Sequence, residues 1–141
     1  MSEENVEVVR SLYQTGGGDW FSVAADQIDR AFREYVDERF EARLPPDYPE
    51  GEPVFRGREG FDELLAMLSN TWGKWRIEPE RFLDAGDRVV VFVRILAEGG
   101  ASAVPIEVET THVWTLRGAR ATSMHAYRDR SQALEAAGLE E

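Results

Sequence analysis

Histidine occurs at two positions in this chain, His112 and His125, both in its last third. Imidazole titrates nearest neutrality, so either could serve as a general acid or base. Between them Arg117-Gly118-Ala119 reads as a tight hairpin turn, which lets the two be placed relative to each other. A two-residue turn at Arg117-Gly118 makes them diagonal neighbours across the strands, and one at Gly118-Ala119 makes them direct neighbours. In both registers they point to the same sheet face, with Thr110, Trp114, Ser123 and Tyr127, while Val113, Met124 and Ala126 take the opposite face. A three-residue loop with a bulge would undo that parity. A face combining aromatic bulk with hydroxyl and imidazole groups suits a pocket for a hydrophobic small molecule held by a few polar anchors. The same face could equally be the outside of the sheet, covered by a second copy of the chain.

Three further groups bear on chemistry. Asp129, at the end of the same strand, could orient an imidazole, or take a proton itself if burial raised its pKa. It also stands just before a short terminal helix, where capping alone accounts for it. Arg94 interrupts an otherwise apolar strand, and a cation there needs a buried carboxylate, a ligand anion or a neighbouring subunit. Trp20, Trp72 and Trp75 read as core and pocket wall. No metal site is expected: His112, His125 and Asp129 could be drawn as a ligand set, but nothing in their spacing requires one. Gly16-Gly17-Gly18 follows a helix and lacks the Lys and Ser or Thr of a phosphate loop, so it reads as a linker. With no dinucleotide fingerprint and no nucleophile elbow, no cofactor is expected.

The elements that must position these groups follow from hydrophobic period. Ser2 can cap a first helix with Glu3 and Glu4 in its first turn, and Val6, Val9 and Tyr13 recur at helical spacing with Val8 and Leu12 beside them. Asp19 can cap a second helix reaching Tyr35, long enough to be broken partway. Phe40, Ala42 and Leu44 alternate as a short strand. Pro45, Pro46, Pro49, Gly51 and Pro53 impose an extended loop. A third helix carries Phe61, Leu64, Leu65 and Leu68 on one face and closes at Trp72-Gly73-Lys74-Trp75. The period then changes to two: strands are expected over 76–83, 88–96, 105–116 and 120–127, turning at 85–87 and at Gly99-Gly100. A terminal helix over 131–137 ends at Gly138. Helices followed by an antiparallel meander describe an α+β domain with helices on one sheet face.

The chain has 141 residues, read as one domain over 1–141, and its 43% hydrophobic content excludes a disordered chain. A net charge of −11, with 16 basic residues scattered among 27 acidic ones, argues against nucleic acid and anionic membrane surfaces as partners. There are no cysteines, so disulfides and thiolate chemistry are excluded. The acidic start and the lack of any apolar run near the roughly 20 residues that span a bilayer lead to a cytoplasmic location by default.

Several strings together resemble the SnoaL-like (polyketide-cyclase-like) branch of the nuclear-transport-factor-2-like (NTF2-like) superfamily. They are Glu4-Asn5-Val6-Glu7-Val8-Val9-Arg10, Phe55-Arg56-Gly57-Arg58-Glu59-Gly60, Leu83-Asp84-Ala85-Gly86-Asp87-Arg88-Val89-Val90, His112-Val113-Trp114-Thr115-Leu116 and Ala133-Leu134-Glu135-Ala136-Ala137-Gly138-Leu139. The resemblance implies a cone: a strongly bent sheet wrapped over three helices around one deep, largely apolar pocket. Its relatives include ketosteroid isomerases, dehydratases and cyclases that need no cofactor, and members often form homodimers through the outer sheet face. Under it Tyr13 would offer its hydroxyl to a ligand carbonyl, with His112, His125 and Asp129 as catalytic candidates and Trp72, Arg94, Trp114 and Tyr127 in contact with the ligand. The acidic position of isomerase relatives carries over onto no single residue, Glu41 and Asp129 both being eligible. Two functions stand: a hydrophobic-ligand site, with or without acid–base catalysis, and a dimeric interaction module whose cone is filled by Phe61, Trp72 and Phe82.

Overall fold

The computed structural model describes residues 2–16, 19–45, 53–99 and 105–139. The Ser2 cap, Gly17-Gly18, Pro46, Pro49, Gly51 and Gly100, each given a role above, lie outside what it describes. Among the described residues four helices, α1 (Ser2–Gly16), α2 (Ala25–Tyr35), α3 (Gly57–Thr71) and α4 (Arg130–Ala136), accompany six strands. These are β1 (Val36–Arg43), β2 (Val54–Arg56), β3 (Trp72–Ala85), β4 (Arg88–Gly99), β5 (Pro105–Arg117) and β6 (Arg120–Tyr127). They form one open sheet in the order β2-β1-β6-β5-β4-β3. The expected antiparallel meander is present from β3 to β6, whereas β1 pairs with β6 in parallel, so the sheet is mixed.

The expected helix from Asp19 to Tyr35 is broken. Asp19 caps only a single 3-10 turn, Trp20–Ser22, accepting from the Phe21 amide at 3.1 Å and the Ser22 hydroxyl at 2.9 Å. Val23 and Ala24 are extended, and α2 starts afresh at Ala25. At the other end of α3, Trp72 already has strand geometry (φ −117°, ψ 138°), so Trp72-Gly73-Lys74-Trp75 opens β3 rather than closing the helix.

The two sheet faces differ sharply. Val91 and Val93 of β4, with Phe40, Ala42, Met124 and Ala126, face the side covered by α1, α2 and α3. Val90, Phe92 and Val113 face the other side, where Ala133 and Leu134 of α4 and its C-cap Ala137 pack over them. Burying each such valine or leucine contributes about 1.5–3 kcal/mol. β4, buried on both faces, therefore anchors the cone.

The last hairpin decides which groups share a face. Gly118 (φ 57°) and Ala119 (φ 61°) form a two-residue turn with both centres left-handed, and Arg117 opposes Arg120. After Leu116 opposes Ala121 the register slips: Thr115 opposes Ser123, and Thr122 is the extra residue of a bulge. The Thr122 hydroxyl donates to the Thr115 carbonyl at 3.1 Å, and the Leu116 amide donates to the Asp87 carbonyl at 2.8 Å. Beyond the bulge His112 opposes Ala126 and His125 opposes Val113. The two histidines therefore point to opposite faces, which corrects the shared face expected from an unbulged hairpin. Met124 and Ala126 turn inward, and Ser123 and Tyr127 go outward with His125.

Candidate functional site

Tyr13 lies near the end of α1 and is only 7% exposed. A phenol withdrawn from water needs partners for its hydroxyl, and β5 supplies two from its inner face. Trp114 Nε1–H donates to Tyr13 Oη at 2.9 Å, and Tyr13 Oη lies 2.6 Å from His112 Nδ1. Phe82 and Trp114 meet the tyrosine ring edge-on, with centroids 5.9 and 5.8 Å away, and fix its orientation. The β4 partner of His112 is the fully buried Val91. In this apolar setting the charged forms are disfavoured. Burial lowers the His112 pKa from 6.5 to about 4. It also pushes Tyr13 far above its ordinary value, with the Trp114 hydrogen bond opposing only part of the rise. At neutral pH both groups are uncharged.

This Trp114–Tyr13–His112 relay borders a cavity of about 120 Å³. α3 forms the wall facing it with Phe61, Leu64, Leu65 and Leu68, none of them fully buried. Gly60 lets α3 lie close on β2: a Cβ there would come within 2.7 Å of the Phe55 carbonyl carbon. Arg58 ties α3 to α2 through Asp29 at 2.7 Å and also pairs with Asp62. Trp20 and Trp75 line the cavity as well. Trp20 reaches its place because Gly16 has no side chain, since a Cβ there would stand 2.3 Å from the indole; the ring then meets Phe61 edge-on at 5.4 Å.

Of the residues singled out by sequence, the structure brings Tyr13, His112 and Trp114 together at the cavity. His125 and Tyr127 lie on the outer face, stacked at 4.2 Å. Asp129 is exposed and caps α4, accepting from the Ser131 and Gln132 amides, and it does not line the cavity. Arg94 stands on the outer face between Glu80 at 3.0 Å and Glu107 at 2.8 Å, which supplies the partner its position demanded and leaves it outside the cavity. Trp72 packs on Trp75 at 6.1 Å and does not line the cavity. Glu41, the other acidic candidate, pairs with Arg43 and Arg56 at 3.1 Å each, and the Arg56 guanidinium holds its carboxyl below the usual range. Every cavity-lining side chain among the described residues is uncharged. Among the described residues no group of three or more His, Cys, Asp or Glu could hold a metal, and no described helix is long and apolar enough to cross a membrane.

Sequence reasoning missed the joining of Tyr13 to His112, which lie 99 positions apart, and no local pattern encodes that meeting. It also assigned Met124 to the face opposite His112, whereas both line the cavity.

Comparison with known proteins places this architecture. No curated protein matches the chain. Among solved structures, TerC co-crystallised with polyporic acid is 25% identical, with a TM-score of 0.72 over 96% of this chain and 98% of that one. A protein from Jannaschia sp. CCS1, classed as a SnoaL-like polyketide cyclase, is 19% identical, with a TM-score of 0.72 over 97% of this chain and 92% of that one. An NTF2-like protein from Burkholderia xenovorans LB400 is 23% identical, with a TM-score of 0.68 over 97% of both chains. The last two share the fold. The family described as SnoaL-like domain matches residues 18–124, which include β1 to β5, the first part of β6 and most of the cavity wall. On this match the chain belongs to the SnoaL-like domain family, and it has the NTF2-like fold.

Proposed function

We propose that this chain binds a compact hydrophobic molecule of one or two aromatic rings in the cavity between α3 and the sheet. The observation that carries this reading is α3 itself. Its Phe61, Leu64, Leu65 and Leu68 all border the cavity and stay half-buried, and Gly60 is the one buried residue of the helix. Interiors are ordinarily close-packed, so a helix that turns four large apolar side chains toward empty space is fully buried only when something fills it. An apolar cavity of about 150 Å³ takes up benzene, and the space here is of that order. The likeness to TerC, co-crystallised with polyporic acid, supports a small-molecule ligand.

Two rival readings are weaker. An interaction module would need a cone filled by Phe61, Trp72 and Phe82, whereas a cavity remains beside Phe61 and Trp72 does not line it. Acid–base turnover works best with a group whose pKa lies near the working pH. His112, at about 4, is a weak base, and no carboxylate lines the cavity among the described residues.

The test is thermal unfolding against a panel of one- and two-ring aromatic compounds. A ligand for the folded state raises the melting temperature with its concentration. Ala31→Leu, which fills the cavity from α2, should keep the fold and abolish that rise. A panel without any rise, or a rise that survives in Ala31→Leu, would reject the reading.

A further inference from the structure

If the cavity is a binding site, its hydrogen bonds also say what kind of molecule it takes. Indole Nε1–H can only donate, so in the Trp114 contact Tyr13 Oη is the acceptor. The tyrosine keeps its own proton, and His112 Nδ1 at 2.6 Å is the acceptor within reach. Reversing that bond would strand the phenol proton, since no other acceptor for it is present among the described residues. Nδ1 is therefore the unprotonated nitrogen, and a neutral imidazole then carries its proton on Nε2. Among the described residues Nε2 has no protein acceptor, and the ring it belongs to lines the cavity. The other hydroxyl along the wall, that of Thr15, is already engaged with the Ser11 carbonyl at 3.0 Å.

We infer that His112 Nε2–H is the group that selects the ligand, and that the site takes an uncharged flat aromatic molecule carrying a carbonyl or ether oxygen. Tyr13 and Trp114 act as positioning residues, since they touch the imidazole and its tautomer rather than the acceptor. A plain hydrocarbon of equal size fills the same space but leaves Nε2–H without a partner, which is unfavourable in an apolar site. A carboxylate could accept from Nε2–H, yet it would be desolvated with no cation among the lining residues. An ammonium group would find neither a carboxylate nor a free acceptor there. Burial of His112 supports the assignment, because it keeps the ring neutral throughout the range in which the protein would be assayed.

A matched series tests this by calorimetry at pH 7.5: naphthalene, 2-acetylnaphthalene, 2-naphthoate and 2-naphthylmethylammonium. The ketone should bind about 3- to 10-fold more tightly than naphthalene, the ratio expected from one satisfied hydrogen bond. Both ions should bind at least about 10-fold more weakly than the ketone. His112→Phe should abolish the preference for the ketone while naphthalene still binds. Nitrogen-15 NMR of the imidazole reads the tautomer directly: the wild-type protein should show protonated Nε2 and bare Nδ1, and Tyr13→Phe should give a mixture of tautomers. Equal affinity for ketone and hydrocarbon, tighter binding of an ion, or a protonated Nδ1 in the wild-type protein would overturn this inference and leave the cavity reading standing. Failure of all four compounds to bind would overturn the cavity reading itself.

Discussion

His112 is neutral in the folded chain down to about pH 4, while the same side chain in the unfolded chain takes a proton near 6.5. Between those values the unfolded state holds more protons, so stability rises with pH through the window and falls as the solution is acidified across it. The loss has a ceiling of about 1.4 kcal/mol per pH unit, or roughly 3 kcal/mol in total. The groups facing the ring are Tyr13 from α1, Val91 from β4 and Trp114 from its own strand, none of them charged at these pH values. Urea midpoints from pH 7 to pH 4 should fall more steeply for the wild-type protein than for His112→Gln. Equal slopes would show that His112 titrates normally. The sequence names both His112 and Tyr13, because imidazole and phenol are recognisable by type. Their contact is not legible there, because it is made by the docking of α1 against β5, which no local pattern records.

Elements decide which named residues reach the cavity. The hairpin turn at Gly118-Ala119 is legible, since its flanking strands and its glycine declare it. The bulge at Thr122 is not: it depends on the Leu116 amide pairing with the Asp87 carbonyl from the β3–β4 turn. Deleting Thr122 should remove the bulge while keeping Ser123 opposite Thr115 and Met124 opposite Trp114, so that Met124 stays inward and His125 outward. The expected result is retained near-ultraviolet circular dichroism and cooperative unfolding, and a deletion protein that had lost both would contradict the role given to Thr122 as the extra residue. Asp129 belongs to this scale too. As a helix cap its replacement by Ala should cost about 1 kcal/mol of stability and leave ligand affinity unchanged. A change in affinity would return it to the site. The break between Trp20–Ser22 and α2 is only half legible, Asp19 being a recognisable cap while no proline or glycine marks the stop at Val23.

For the molecule as a whole, composition and element order carried the architecture, and long-range pairing carried what they missed. β1 and β6 pair in parallel although β2, α3, β3, β4 and β5 lie between them in the chain, a contact invisible to any windowed reading. The outer face is divided between α4, which covers Val90, Phe92 and Val113, and the ion pairs of Arg94 with Glu80 and Glu107. Arg130 adds its guanidinium over the Phe92 ring at 3.8 Å. The apolar row of α3 lies on the inner side, bordering the cavity. Because Phe61, Leu64, Leu65 and Leu68 are still partly hydrated, a ligand that fills the space beneath them also withdraws them from water. Burial of apolar surface lowers heat capacity. Calorimetric titrations at several temperatures should therefore give a binding enthalpy that becomes steadily more negative on warming. An enthalpy that stays flat with temperature would mean that the leucines of α3 keep their water, and that the molecule bound elsewhere.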